Sequence, residues 1–146
     1  MHLENFPNLK SDNHSIKSQR TFSYNCIPWT FGKTDVWWSS SPGYYWPRRI
    51  APGSMHVVSN VIKIYENFGF IVCKHSDTSK EDGIEKVALY ATAGFFVHAA
   101  LQREDGIWTS KLGEHEDIIH ETAECLLGGE MESIACVLKR KRVASK

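Results

Sequence analysis

Residues 85 to 112 leave this chain few ways to fold. Three apolar runs, Glu85 to Ala91, Phe95 to Arg103 and Ile107 to Leu112, are parted by Ala93-Gly94 and by Glu104-Asp105-Gly106. Short breaks of that chemistry turn a strand back on its neighbour, so the stretch predicts an antiparallel meander. A meander has apolar faces to bury and needs further elements to cover them. Candidates lie on both sides of it: Phe70 to Cys73, Asp117 to His120 and Met131 to Lys139 read as short strands, and Glu121 to Leu127 as a helical turn or two before Gly128-Gly129.

The helical signal sits upstream. Val57, Val58, Val61, Ile62, Ile64, Tyr65 and Phe68 recur at helical spacing, with Ser54 placed to cap a helix starting near Met55 and Gly69 placed to end it. A shorter helix is expected from Cys26 to Asp35, with Pro28 in its first turn. Helices first and a meander afterwards predict an α+β domain whose antiparallel sheet has four to six strands.

Length and charge bound the rest. A chain of 146 residues is one domain by size, and 17 basic against 17 acidic residues leave no net field for nonspecific nucleic-acid or membrane binding. Residues 1–20 are polar without either period and predict a flexible lead-in or a strap along the surface, residues 21–140 the domain, and 141–146 a basic tail. Cys26, Cys73, Cys125 and Cys136 are irregularly spaced and contain no C-x-x-C pair, so neither a zinc site nor a dithiol is expected. With no secretory-type N-terminus and no apolar run near the ~20 residues of a membrane span, the expected location is the cytoplasm. No cofactor is expected, and no metal: His115 and His120 with Glu116 and Asp117 have poor ligand spacing.

Two residues carry the candidate chemistry. Cys26 follows a loop-type run and opens a helix, where backbone N–H groups favour a thiolate. His98 is a single imidazole on an otherwise apolar strand, and in the Asp105-Gly106 hairpin residues 110 to 113 fall opposite or diagonal to it. Thiol chemistry on a carbonyl needs such a pair plus a third polar group to hold the imidazole, which nominates Ser110, with Lys111, Glu114 and Asp117 less direct and His120 as a second polar group near the cleft. The Pro/Gly-punctuated loop from Val36 to Gly53 holds three tryptophans, and long loops of this kind are often functional. Asn25, Trp37, Trp38, Tyr45, Trp46 and Lys111 are the candidate substrate-binding residues; equally, the rings of the loop form a small core of their own.

Asn25-Cys26, with His98 twelve residues before Ser110, resembles the nucleophile turn and base spacing of the NlpC-type, papain-like cysteine peptidases. Tyr24-Asn25-Cys26-Ile27, Trp37-Trp38, Tyr45-Trp46-Pro47, Glu85 to Tyr90, His98-Ala99-Ala100 with Gln102, and Gly106 with Trp108 to Gly113 resemble an uncharacterised family of small bacterial domains over residues 22 to 120. The peptidase resemblance implies a papain-like fold with the nucleophile helix on the sheet, Cys26 as nucleophile, His98 as base, and an oxyanion hole including the Cys26 N–H. The resulting expectation is a cysteine-dependent hydrolase or amidotransferase of peptidase, amidase or deamidase type acting on an amide or isopeptide bond. Its alternative is a non-catalytic interaction module, such as an inhibitor, immunity or adaptor protein. The expected partner is a protein or peptide; membrane and nucleic acid are not expected, and the sequence is silent on oligomeric state.

Overall fold

The computed structural model describes residues 3–142, so most of the basic tail expected at 141–146 lies outside the described residues. Its elements run β1 (His14–Ile16), α1 (Cys26–Thr30), α2 (Val58–Asn67), β2 (Ile71–Val72), β3 (Ile84–Thr92), β4 (Phe95–Gln102), β5 (Trp108–Lys111), β6 (Asp117–His120) and β7 (Ser133–Lys141), with 3-10 turns at Leu3–Asn5, Lys74–Ser76 and Ala123–Leu126. The seven strands form one antiparallel sheet in the order β1-β6-β5-β4-β3-β7-β2. The meander is therefore its centre.

Two expectations need correction. The α+β, papain-like architecture with four to six strands is replaced by a mostly-β fold, because the sheet has seven strands and the two α-helices span only five and ten residues. The lead-in is also not loose: His14, Ser15 and Ile16 pair with His120, Ile119 and Ile118, and Phe6 and Leu9 are buried. These two apolar residues, separated by one 3-10-like spacing, were the legible sign that a polar segment had an inner side.

Local sequence explains the short helices. Gly32 at φ +74° and Gly69 at φ +91° turn the chain away just after α1 and α2, and only glycine enters that region freely. The start of α2 is later than the expected Met55 because residues 56 and 57 join the sheet instead: the Phe96 N–H donates to the His56 carbonyl at 2.8 Å and Val57 bridges Phe95. Ser54 caps no helix here; its hydroxyl accepts the His56 N–H at 3.1 Å.

Both faces of the sheet are covered. Val87, Leu89, Ala99 and Leu138 pack against Ile27, Val61, Ile64 and Tyr65 from the helices, while Ala88, Tyr90, Ala100 and Val137 pack against Phe6, Leu9, Leu126 and Met131. Lys86 to Ala91 are consequently all buried, which is why β3 reads as a continuous apolar run instead of an alternation. The N-terminal segment is thus half of one core layer. Phe6→Ala is expected to lower the unfolding free energy by about 3–4 kcal/mol in urea titration, the usual cost of emptying a buried aromatic site; a change below about 0.5 kcal/mol, the scale of a surface substitution, would restore the loose lead-in.

Candidate functional site

Backbone parity in β4 decides where the thiol sits. The Arg103 N–H donates to the Ile107 carbonyl at 2.7 Å, so Leu101 and Ala99, on the same side of the register shift in β4, also turn their backbone groups to the β5 side. The ladder between the two strands nevertheless stops at Leu101↔Thr109, leaving Ala99 and Lys111 without a mutual pairing. Into that break comes the first residue of α1, which packs against both strands. The backbone N–H groups of Ala99, the residue next to His98, of Ile27 and of Cys26 itself favour the thiolate form of Cys26.

The surroundings of the sulfur nonetheless oppose ionisation. Burial raises the Cys26 pKa to about 11, outweighing the three N–H groups and the more distant Lys111 charge that lower it. The expected thiolate-favouring helix start is corrected on this point, because five residues make little macrodipole and Cys26 is only 7% exposed. All four cysteines are buried and free.

His98 lies on the next position of β4, its ring 5.4 Å from that of Tyr90, 2% exposed. Its Nε2 is 2.9 Å from Ser110 Oγ, the diagonal contact the hairpin predicts. Ser110 Oγ is in turn 2.8 Å from His120 Nε2, and His120 Nδ1 is 2.8 Å from the Thr122 carbonyl. Ser110 and His120 are fully buried. Among the described residues, His98 Nδ1 makes no hydrogen bond. Burial, and then the charge of His120, lowers the His98 pKa to about 3, and burial is the main cause that lowers His120 to about 4. His98 also borders an open concavity of about 290 Å³ shared with Val97, Leu112, Glu114, His115 and Glu130; Cys26 is not part of its wall.

The expected substrate-binding residues divide. Asn25 is turned inward: its Nδ2 donates to the Trp38 carbonyl at 2.8 Å and its Oδ1 accepts the Trp38 N–H at 3.0 Å, a clamp that holds the aromatic loop beside Cys26. Trp38 and Trp46 are core residues, the latter with Nε1 donating to the Ala51 carbonyl at 2.8 Å. Lys111 is also withdrawn, its ammonium donating to the carbonyls of Thr21 and Gly113 and lying 5.2 Å from the centre of the Tyr24 ring. Trp37, whose ring is 6.0 Å from that of Phe22, remains partly exposed, and Tyr45 is exposed. Neither carboxylate suggested as an orienter touches the imidazole network: Asp117 Oδ2 accepts the Tyr24 hydroxyl at 3.0 Å, and Glu114 pairs with Arg20 at 3.2 Å. The more important partner is His120, whose signal in the sequence was its place opposite Trp108 in β6, two residues along from the position facing Ser110.

The two buried histidines make stability depend on pH. Their folded pKa values lie below the usual value of about 6.5, so above that pH they are neutral in both states and cost nothing. As pH falls from about 6.5 towards 4, the unfolded chain takes up two protons that the folded one refuses, and stability should fall by up to about 2.7 kcal/mol per pH unit from this pair. Urea midpoints at pH 7, 6 and 5 check this. The slope should drop by about half in His98→Gln, and an unchanged slope would show that these imidazoles are not the refusing groups.

No helix among the described residues is long and apolar enough to cross a membrane. Comparison with curated proteins gives no match, and comparison with solved structures gives none. A family does match, over residues 15–139, from the first strand to the last: this chain belongs to the DUF7689 family, a domain of unknown function.

Proposed function

We propose that this domain is a cysteine-dependent hydrolase or amidotransferase acting on amide or isopeptide bonds, with Cys26 as nucleophile and His98 as its base. The observation that supports this reading is that α1 brings Cys26 to β4 where the β4–β5 ladder has stopped and the Ala99 N–H favours its thiolate, one residue from His98, whose ring lies on the opposite face with Nδ1 unengaged among the described residues. Because the thiol pKa is about 11 and the imidazole pKa about 3, the resting pair is neutral thiol and neutral ring. The two side chains leave β4 on opposite faces, so the reaction requires them to meet where the β4–β5 ladder has opened; sulfur then attacks the carbonyl carbon as its proton moves to His98 Nδ1. The C–N bond then breaks as that proton passes to the departing nitrogen, leaving a thioester. Water or a second amine opens the thioester, giving its proton to Nδ1, from which it returns to sulfur.

An activated ester reports the first half-reaction without knowledge of the natural substrate. With p-nitrophenyl acetate at pH 7.5, peptide mapping is expected to find acetyl on Cys26, formed at least tenfold faster than in His98→Ala. Equal rates in the two proteins, or acetylation of Cys73, Cys125 or Cys136 in preference, would overturn the proposal.

A second reading, the non-catalytic interaction module, is favoured by one observation. Phe22 is 66% exposed and Tyr44 and Tyr45 each 54%, with Trp37 against Phe22, a set of outward aromatic rings of the kind enriched in protein interfaces. Under this reading a Cys26→Ala chain keeps its full effect in the cell while Trp37→Ala or Tyr45→Ala loses it. Loss of the effect in Cys26→Ala with an unchanged melting temperature would exclude it.

A further inference from the structure

Resting on the Cys26/His98 reading, we propose that His120 is a positioning residue which, acting through the Ser110 hydroxyl, holds His98 in the tautomer protonated at Nε2 and so keeps Nδ1 available as the base.

The argument follows the hydrogens from the one fixed end. A carbonyl only accepts, so the 2.8 Å contact between His120 Nδ1 and the Thr122 oxygen requires the hydrogen on Nδ1. A neutral imidazole carries one ring hydrogen, which leaves His120 Nε2 as an acceptor. Its partner at 2.8 Å, Ser110, must therefore donate its single hydroxyl hydrogen there. With that hydrogen committed, Ser110 Oγ offers only lone pairs to His98 at 2.9 Å, and His98 must donate from Nε2. The neutral His98 ring then has no hydrogen on Nδ1. Both imidazoles are neutral near pH 7, since burial holds their pKa values far below that.

The backbone supports the fixed end. Thr122 stands immediately before the 3-10 turn Ala123–Leu126, and the Ala123 carbonyl accepts the Tyr90 hydroxyl at 2.7 Å, so the turn carrying the Thr122 oxygen is tied to β3. Tyr90 also lies against the His98 ring. One tyrosine thus constrains both ends of the chain of hydrogen bonds. Ser110 alone could not choose a tautomer, because a hydroxyl serves either ring form by rotating. His120 removes that freedom.

Long-range 1H–15N correlation spectra on protein labelled with 15N-histidine read the tautomers directly. The unsubstituted protein at pH 7 is expected to show His98 with a protonated Nε2 and an imine-type Nδ1, and His120 with the reverse. In His120→Phe the Ser110 hydroxyl is free to turn, and His98 should become a mixture containing the Nδ1-protonated form, with Cys26 acetylation slowed about tenfold. His120→Gln, whose amide can accept from Ser110 and donate to Thr122, should restore both. An Nδ1-protonated His98 in the unsubstituted protein overturns the proposal, even if His120→Phe fails to fold. The two readings separate cleanly: the expected tautomers without Cys26 acetylation leave the positioning intact and refute the enzyme, whereas acetylation with the opposite tautomer does the reverse.

Discussion

Because β3 and β4 are covered on both faces, a polar side chain in the middle of this sheet has neighbours for partners and little water. The chain meets that constraint in two different ways. Lys86, fully buried, remains compatible with charge because its ammonium reaches Glu81 at 2.7 Å and the carbonyls of Asp77 and Ser79 at 2.9 and 2.7 Å, all on the polar loop that folds over it. His98, Ser110 and His120 have no carboxylate among them and are satisfied as neutral groups, hydrogen by hydrogen, down to a backbone carbonyl. Every ring and hydroxyl hydrogen of the three groups finds an acceptor, leaving only the His98 Nδ1 lone pair unengaged among the described residues, and that pairing is what allows polar residues to occupy this layer.

The same cover dictates the position of the thiol. α1 lies on the face carrying Ala99 and Leu89, and His98 lies on the face carrying Tyr90. In a sheet with an unbroken ladder those residues would be insulated from each other by the hydrogen-bonded backbone. The break beyond Leu101↔Thr109 is what lets a sulfur arriving from one face meet the backbone beside an imidazole directed to the other. Ala99 suits the place: a larger side chain on that face of β4 would compete with α1 for the same volume.

The meander was legible because its turn residues and apolar runs agree, and β3, β4 and β5 lie within a residue or two of the expected runs. The His98 to Ser110 contact followed from the same register, since a hairpin fixes which residues meet diagonally. What could not be read were features decided by distant packing. Nothing local in His14-Ser15-Ile16 marks a strand; its edge position exists because β6 offers an unpaired side. Asn25 looked like a residue beside a nucleophile and proved to be a backbone clamp, because its partner, Trp38, is thirteen residues away in a loop whose path the sequence does not state. The Trp/Tyr loop divided between core and surface for the same reason: Trp38 and Trp46 fill the volume above α1 and α2, and the rings left over point outward.

Whether such a thiol and imidazole ionise before substrate arrives can be decided by magnitude. Moving the proton from a sulfur of pKa about 11 to a ring of pKa about 3 costs about 11 kcal/mol if the charges do not interact. Even if the two charges were brought to about 4 Å, their attraction would return only about 4 kcal/mol at the effective dielectric that suits most protein sites. The neutral pair prevails. Under the proposed mechanism the remainder would have to come from the reaction itself, as the carbonyl carbon takes up the sulfur electron pair and relieves the thiolate of its charge. On the proposed reading proton transfer and attack would be one event, and an imidazole whose tautomer is held through Ser110 and His120 would suit it, since Nδ1 would then be free to take the proton.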